Sequence, residues 1–578
     1  MLAAPALLYL IVLFLVPVAQ FLTLAVHGPR GMTLQYWQKL AATPVYLRVI
    51  LTTFQVSALV AVICVVAGYP VAYVLAHLKE RGRNAWLILV LLPFWTSFLV
   101  RTFAWITLLG NTGFFNRVLS ALHLPHLPLM YNLTGVLIGM VHALLPFAIL
   151  TMLGVMQSID RRLRPAAELL GAPPSVSFWR IFFPLSLPGV AAAALLVFIT
   201  SLSFFITPAF LGGPKQLLIA QAIQTKINEQ LDWGFAAVLS VVLLVTTLLV
   251  FALYAKLLGL ENLYGTPAGS SATGDIAGRR NGLARWTAPI FDGLERVLLW
   301  ADRHFGARSS RARGGRVRTW IGFGLVLAFL VFPILIVFPI AFSSSSFVEF
   351  PPKLFSLQWY HDFFADPVWL DATLRSTIVA LAVAVLSLLL GGPAAFAIAR
   401  RDLPGKTWIQ GLVLSPMIVP RMVTAVALYF LFAHVGLAGT TFGLILAHTI
   451  IAVPYVVITL TAVLANFDWR FVDAASVMGA SPLRTLRFIT LPLIRTGLVS
   501  AGLFAFITSF DELTFALFIA GGVHTTLPRK MWDSMFLQVS PTLAAVSSLL
   551  VALATLGLIA AELVRGRTKS DTIVPEES

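Results

Sequence analysis

Long apolar segments separated by short polar loops run through the whole chain. A helix needs about 20 consecutive apolar residues to cross a bilayer. Twelve segments are long enough, at about 4–26, 49–77, 85–109, 133–157, 186–210, 236–258, 320–342, 374–399, 407–433, 441–465, 493–519 and 542–564. This pattern predicts an all-α polytopic membrane protein with twelve transmembrane helices.

Positive charge is concentrated in alternate loops. Lys79, Arg81 and Arg83 lie in the first basic loop, whereas the loop after the seventh segment carries Glu349 and Asp362. Short cytoplasmic loops of membrane proteins carry an excess of lysine and arginine. The alternation therefore predicts that both termini lie in the cytoplasm.

Composition gives further evidence about the class of protein. Only 11% of the 578 residues are charged and the mean hydropathy is +0.90, yet the net charge is +16. Because the arginines lie in short loops between apolar segments, they indicate membrane orientation and not nucleic-acid binding. The single cysteine, Cys64, excludes a disulfide within the chain. The first segment lacks the basic start of a cleaved signal peptide, so it is predicted to be a membrane helix.

The chain contains an internal repeat. Gly171 and Gly479 are 308 positions apart, and the same offset relates Pro184 to Pro492. Upstream of a longer outer loop in the first half, at about 111–132, the offset becomes 323. Each half has six segments, so we predict two parallel six-helix repeats. A pseudo-two-fold axis normal to the membrane should relate them, and the pathway should follow this axis.

The predicted boundaries follow from the repeat. The first half covers 1–258 and the second 320–564, joined by an arginine-rich cytoplasmic connector at 259–319 and followed by a cytoplasmic tail at 565–578. The connector is interpreted as a tether. Its part at about 287–304 would alternatively form an amphipathic helix at the membrane surface.

A polar segment occurs on the cytoplasmic side of each half, at about 160–185 and 468–493. In the second copy, Asp473 precedes two alanines and then a glycine. An acid favours a helix start, alanines let another protein approach closely, and glycine ends a helix. Each copy is predicted to be a short docking helix, a turn and a return to the membrane at a proline. A solvated loop is the alternative, and the duplication argues against it.

These segments resemble the Glu-Ala-Ala-x3-Gly-x9-Ile-x-Leu-Pro signature of bacterial ABC importer permeases. The second copy follows the signature from Asp473 to Pro492, whereas the first has Pro165 for the acid and Phe183 for leucine. Because proline cannot pair with a basic residue, we expect unequal docking sites, with the Asp473 copy dominant. The resemblance implies that the following residues couple the permease to an ATPase: Ala166, Ala167, Glu168, Gly171, Asp473, Ala474, Ala475 and Gly479.

The source of energy is expected to lie outside the chain. No Gly-x4-Gly-Lys-Ser/Thr loop for nucleotide phosphates occurs in the sequence. The resemblance implies a homodimer of separate ABC ATPase subunits that use ATP and Mg²⁺, and a periplasmic or extracellular substrate-binding protein that delivers the cargo. It also implies a lipid-embedded location in the bacterial inner membrane, no cofactor in this chain and no covalent chemistry.

Charged residues inside apolar segments are functional candidates, because an intramembrane charge costs at least roughly 2.5–3.5 kcal/mol. Asp511 and Glu512 lie in the eleventh segment, and Arg101 and Arg421 lie in the third and ninth. Two interpretations remain open. The acids either attract a cationic cargo, helped by aromatic neighbours such as Trp95, or pair with the arginines and hold the helices together.

Further resemblance concerns the cargo. The stretches 92–105 and 129–132 resemble the first permease of spermidine/putrescine importers, and 509–513 with 526–532 resembles the second. A polyamine is the expected cargo. Ferric iron, thiamine, phosphonates and small amines or amino acids are alternatives within similar permeases. A secondary transporter of the major facilitator arrangement is a rival class, and the duplicated docking segment argues against it.

Overall fold

The structure is a computed structural model that describes residues 2–28, 30–258, 308–399, 405–521, 525–537 and 539–570. Most of the described residues are helical, with one two-stranded hairpin formed by His27–Gly28 and Gly31–Met32. Most of the predicted connector, including the alternative helix at 287–304, lies outside the described residues. So does the tail from 571 onward.

The described helices of the first half are numbered here in chain order. They are α1 Ala4–Thr23, α2 Gln35–Ala42, α3 Pro44–His77, α4 Glu80–Trp95, α5 Phe98–Leu109, α6 Phe114–Ala121, α7 Leu133–Ser158, α8 Leu163–Leu169, α9 Pro174–Leu202, α10 Ile206–Leu211, α11 Ile219–Asn228 and α12 Trp233–Leu258.

The second half repeats this order. Its described helices are α13 Arg308–Ala341, α14 Gln358–Ala365, α15 Pro367–Ala399, α16 Lys406–Ile418, α17 Arg421–Val435, α18 Thr441–Ala465, α19 Arg470–Val477, α20 Pro482–Leu493, α21 Arg495–Phe510, α22 Thr514–Ile519, α23 Leu527–Leu537 and α24 Pro541–Ser570. Helix α6 occupies the longer outer loop of the first half and explains the change of offset. Helices α20 and α21 together correspond to α9.

Eight described helices are long and apolar enough to cross a membrane, and three bent pairs also qualify. A shorter apolar helix at Pro541–Leu553 lies within α24. The predicted fold class, an all-α polytopic membrane protein built from two parallel repeats, is confirmed. The count of twelve transmembrane helices stays a prediction.

Two of the three bent pairs interrupt segments that hydropathy predicted to be continuous helices, at about 85–109 and 407–433. The chain bends by 91° between α4 and α5 and by 94° between α16 and α17. Pro93 and Pro416 lie in the last turn before these two bends. Proline removes a backbone donor and crowds the preceding turn, which favours a break there. The third bend, of 77°, lies between α20 and α21 and has no counterpart in the continuous α9.

Each half contains a core of three mutually packed helices, α3, α7 and α9 in the first and α15, α18 and α21 in the second. Glycines allow close packing at matched positions. A Cβ atom added at Gly189 would lie 2.8 Å from Val155, and one added at Gly497 would lie 2.8 Å from Val463. Small residues let membrane helices approach closely where no hydrophobic effect drives them together.

The two halves exchange their first helices. Helix α1 packs against α17 of the second half, and α13 packs against α3, α4 and α5 of the first. The Tyr9 hydroxyl donates to the Leu446 carbonyl at 2.5 Å, and His142 Nε2 donates to the Leu330 carbonyl at 3.1 Å. Because a carbonyl only accepts, the His142 proton must lie on Nε2. This reciprocal exchange joins the halves into one bundle.

Candidate functional site

The predicted docking helices α8 and α19 begin in the same way. Asp160 accepts a hydrogen bond from the Arg162 backbone N–H at 2.9 Å, and Asp468 accepts one from Arg470 at 3.1 Å. Side-chain hydrogen bonds from Arg470 also hold the pKa of Asp468 below its usual value. The acid that accepts a hydrogen bond at the helix start is therefore Asp160 for α8 and Asp468 for α19. Asp473 lies in the first turn of α19, as predicted for an acid near a helix start, and the helix itself begins three residues earlier, at Arg470.

Both docking helices end at the predicted glycines. Gly171 has a φ of +90° and Gly479 a φ of +80°, a region that glycine enters without steric cost. The N–H of the residue after each glycine donates to an alanine carbonyl five residues back, Ala167 or Ala475, at 3.0 Å in both copies. This bond closes the last turn of each helix. Pro184 is not the point at which the chain becomes helical again, because α9 already begins at Pro174.

Two large apolar residues before each glycine are almost fully exposed. They are Leu169 and Leu170 in the first copy, and Val477 and Met478 at the equivalent positions of the second. Exposed large apolar side chains of this kind occur at surfaces that contact another protein or a membrane. Sequence reasoning missed them, although their recurrence at the offset of 308 was a usable signal.

The predicted coupling residues surround these apolar pairs. Ala475 is buried and Ala167 is half-buried, so they face the permease. The others are exposed: Ala166, Glu168, Gly171, Asp473, Ala474 and Gly479. Within the described part of the chain, the Asp473 carboxylate has no hydrogen-bond or ion-pair partner, and it remains available to a partner protein.

The two docking helices are attached to the bundle differently. In the first half, Arg164 Nη1 donates to the Tyr73 hydroxyl at 2.5 Å and Arg161 donates to the Ala76 carbonyl at 2.7 Å. In the second half, the Trp469 ring packs against the Phe396 ring at 5.0 Å between centroids. Phe396 is the counterpart of Tyr73 at the offset of 323. The first attachment therefore uses hydrogen bonds and the second uses aromatic packing.

A second group of predicted residues meets inside the bundle. Asp511 and Glu512 were expected within a helix, but they lie in the break between α21 and α22. Glu512 Oε2 lies 3.0 Å from Arg421 Nη1, at the start of α17. Its side chain is only 2% exposed, whereas that of Arg421 is 43% exposed. The ion pair therefore has one buried and one accessible partner.

Glu512 also accepts hydrogen bonds from the backbone N–H groups at the beginning of α22. Its Oε1 atom accepts hydrogen bonds from the Thr514 N–H at 2.8 Å and from the Phe515 N–H at 3.4 Å. At the other end of this short helix, Arg529 donates to the carbonyls of Ala516, Leu517 and Ala520 at 2.9, 2.7 and 3.0 Å. Backbone groups at helix ends lack helical partners and cannot find water inside a membrane. Two charged residues provide the missing partners.

The Asp511 side chain lies against the first half. Its carboxylate lies close to the Ser97 side chain and to the Phe98 backbone N–H, at the start of α5. Arg101 lies in the same helix, is buried, and donates to the Ala143 carbonyl at 3.1 Å. Its guanidinium lies 4.2 Å from the centroid of the Phe98 ring. Asp511 therefore links the two halves, while Glu512 pairs within its own half.

The predicted pathway residue Trp95 also lies between the halves. Its ring stacks on Phe504 of α21, with 5.8 Å between centroids and an interplanar angle of 27°. The indole N–H is buried and has no hydrogen-bond partner among the described residues. Both Trp95 and Asp511 thus place first-half and second-half side chains against each other.

Equivalent positions in the two halves have opposite chemistry. The offsets of 323 and 308 pair three aromatic residues of the first half with three polar residues of the second. The pairs are Phe98 with Arg421, Phe147 with Tyr455, and Phe204 with Glu512. The Phe98 and Phe204 rings lie 5.3 Å apart where the second half has its ion pair. The Tyr455 hydroxyl lies close to Arg421. The ion pair of Arg421 and Glu512 therefore has no charged counterpart at the equivalent first-half positions.

No group of three or more potential metal-ligating His, Cys, Asp or Glu side chains occurs among the described residues. The arrangement described above can guide or bind a solute by charge and aromatic contacts.

The chain was compared with known proteins. A family model described as "Binding-protein-dependent transport system inner membrane component" matches residues 66–258 and 387–570. The spermidine/putrescine transport system permease protein PotB of Salmonella typhimurium is 34% identical over 213 residues, which are 36% of this chain and 74% of that protein. The corresponding permease protein PotC of Haemophilus influenzae is 31% identical over 240 residues, or 42% of this chain and 93% of that protein.

A solved structure also shows a weak likeness. The crystal structure of a bacterial ABC transporter involved in the import of the acidic polysaccharide alginate aligns with 45% of this chain and 98% of that chain. The sequence identity is 15% and the TM-score is 0.36. This likeness adds nothing to the argument.

The ion pair can be tested by a double-mutant cycle. Glutamine at position 512 keeps an acceptor oxygen for the Thr514 N–H, so Glu512→Gln removes mainly the charge. We expect Glu512→Gln and Arg421→Gln to be coupled by about 0.5–3 kcal/mol in denaturant unfolding in micelles. The exposed Asp468–Arg470 pair, changed in the same way, serves as control and should show no resolved coupling. Additive effects at 421 and 512 would contradict the account.

Proposed function

Because this chain belongs to the family of binding-protein-dependent transport system inner membrane components, we propose that it forms both membrane halves of an ATP-driven importer for polyamines. The chain is a multi-pass inner-membrane permease and a non-enzymatic transport subunit. The family model matches twice, once in each half. The double match is the observation that carries the proposal, because it indicates that a single chain supplies two permease repeats.

Docking of the ATPase is assigned to α8 and α19. The exposed pair Leu169–Leu170 and its counterpart Val477–Met478 would bury their apolar surface in a groove on each subunit of an ATPase homodimer. ATP and Mg²⁺ would be used there, and both docking helices and both termini would lie in the cytoplasm. Closure of the ATPases would then draw the docking helices together and open the pathway toward the substrate-binding protein outside.

The pathway is assigned to the contact between the halves. Trp95, Phe98 and Asp511 offer aromatic faces and a carboxylate, which suit an organic cation. Glu512 forms an ion pair of 3.0 Å with Arg421, whereas Asp511 interacts with Arg101 only at longer range, so Asp511 is the acid assigned to the cargo. The similarity to spermidine/putrescine permeases supports a polyamine. The accessible Arg421 side chain favours a second candidate, a cargo that carries a carboxylate or phosphonate group.

The docking assignment predicts unequal effects of two substitutions. Asp473→Ala removes an exposed carboxylate without a partner in the described part of the chain, so it should lower ATP-driven uptake in proteoliposomes several-fold. Pro165→Ala, at the equivalent position of α8, is the matched control and should have little effect. Equal losses in both variants would refute the unequal docking sites but leave the importer assignment intact.

The cargo assignment predicts a selective loss at Asp511. Asp511→Asn keeps an acceptor for Ser97 but removes the charge, so the KM for putrescine uptake should rise about tenfold, the equivalent of about 1.4 kcal/mol. Ser203→Ala, at the equivalent position of the first half, should leave the KM unchanged. Radiolabelled putrescine uptake with ATP inside the vesicles measures both. An unchanged KM in Asp511→Asn, or uptake without ATP, would contradict the proposal.

A further inference from the structure

A second structural repeat lies at the end of the bundle opposite the docking helices. Helix α2 is followed by one extended residue, Thr43, and then by Pro44 at the start of α3. Helix α14 is followed by the extended Asp366 and by Pro367 at the start of α15. All of these positions match at the offset of 323. Each half therefore carries the same short helix joined at a proline to a long membrane helix.

One side of each short helix is fixed to the protein. Leu40 of α2 and its counterpart Phe363 of α14 are both buried. Lys39 forms an ion pair of 2.7 Å with Asp232, and Trp359 Nε1 donates to the Ser343 carbonyl at 2.7 Å. These contacts hold both elements in place against the bundle.

The residues that lead into each short helix include large exposed apolar side chains at matched positions. Met32 is 82% exposed and its counterpart Phe355 is 73% exposed. Leu34 and its counterpart Leu357 are 61% and 65% exposed. Exposing four large apolar side chains to water would be unfavourable, at roughly 25 cal/mol per Å² of apolar area. The agreement between two copies of different sequence indicates a shared environment.

The exposed apolar surface continues along the attached membrane helices. The exposed positions of α3 and α15 also match in pairs at the offset of 323. They are Val45 with Val368, Leu51 with Leu374, Val62 with Val385, and Val66 with Leu389. Helices α3 and α15 are long and apolar enough to span the membrane, and these side chains face away from the bundle. We infer that they contact lipid. The same apolar surface continues beyond the start of each helix, at Met32, Leu34, Phe355 and Leu357.

We propose that the two elements at 32–42 and 355–365 are membrane-surface anchors. They insert into the boundary between headgroups and acyl chains of the leaflet opposite the docking helices. Amphipathic segments with aromatic residues bind this boundary by burying their apolar side. Tyr36, Trp37, Trp359 and Tyr360 pack against the bundle. The side chains that enter the membrane are therefore the exposed ones, Met32, Leu34, Phe355 and Leu357. Each anchor fixes the end of the long helix to which its proline joins it.

Spin labels test the depth of these elements. Single variants Met32→Cys, Leu34→Cys, Phe355→Cys and Leu357→Cys of the complete chain are labelled with a nitroxide and reconstituted in phosphatidylethanolamine/phosphatidylglycerol vesicles. Gln38→Cys and His361→Cys, at exposed polar positions of the same elements, are the matched controls. Cys64 is fully buried, so the unsubstituted chain provides the unlabelled background.

At the four apolar positions we expect collisions with the water-soluble Ni-EDDA complex to fall at least about threefold below the controls, while collisions with oxygen rise. Equal Ni-EDDA accessibility at apolar and control positions would overturn the proposal. Protection that appears only after the substrate-binding protein is added would also overturn it, because the surface would then be a protein docking site. Protection in only one half would refute a repeated anchor.

Discussion

Backbone groups inside a bilayer cannot hydrogen-bond to water, and this constraint shapes the functional part of the molecule. Every break in a membrane helix therefore needs partners supplied by the protein. Around α22 these partners are charged side chains, with Glu512 at its start and Arg529 at its end. Arg421 then neutralises Glu512. The intramembrane charges that would otherwise suggest transport chemistry thus first serve to make a broken helix possible.

The repeat separates structural roles from functional ones. Features that hold the bundle together occur in both halves, including the close-packed Gly189 and Gly497 and the exchanged first helices. Features of the proposed pathway differ, since Phe204 lies at the position equivalent to Glu512 of the second half. A single chain with two copies can diverge in this way, because each copy keeps its fold while one acquires charge. Asp511, which lies close to Ser97 of the other half, has no acidic counterpart in the first half.

Local sequence signals were enough to predict the fold class and the C-terminal ends of the docking helices. Apolar length predicted the membrane helices, and Gly171 and Gly479 predicted the turns because glycine acts through its own backbone. The helix breaks near Thr96 and Asp511 were not predicted, because hydropathy does not show whether an apolar segment is one continuous helix. The partners of Asp511 and Glu512 escaped it too, because they depend on helices distant in sequence. The exposed pair Leu169–Leu170 was readable from the repeat alone.

The central claim is that one chain supplies the whole membrane pathway of the importer. The most direct test is the subunit stoichiometry of the purified complex with its ATPase, measured by native mass spectrometry. The account predicts one copy of this chain with two ATPase subunits, one on each of α8 and α19. A complex with two copies of this chain for two ATPase subunits would contradict it, because each chain would then supply only half of a pathway.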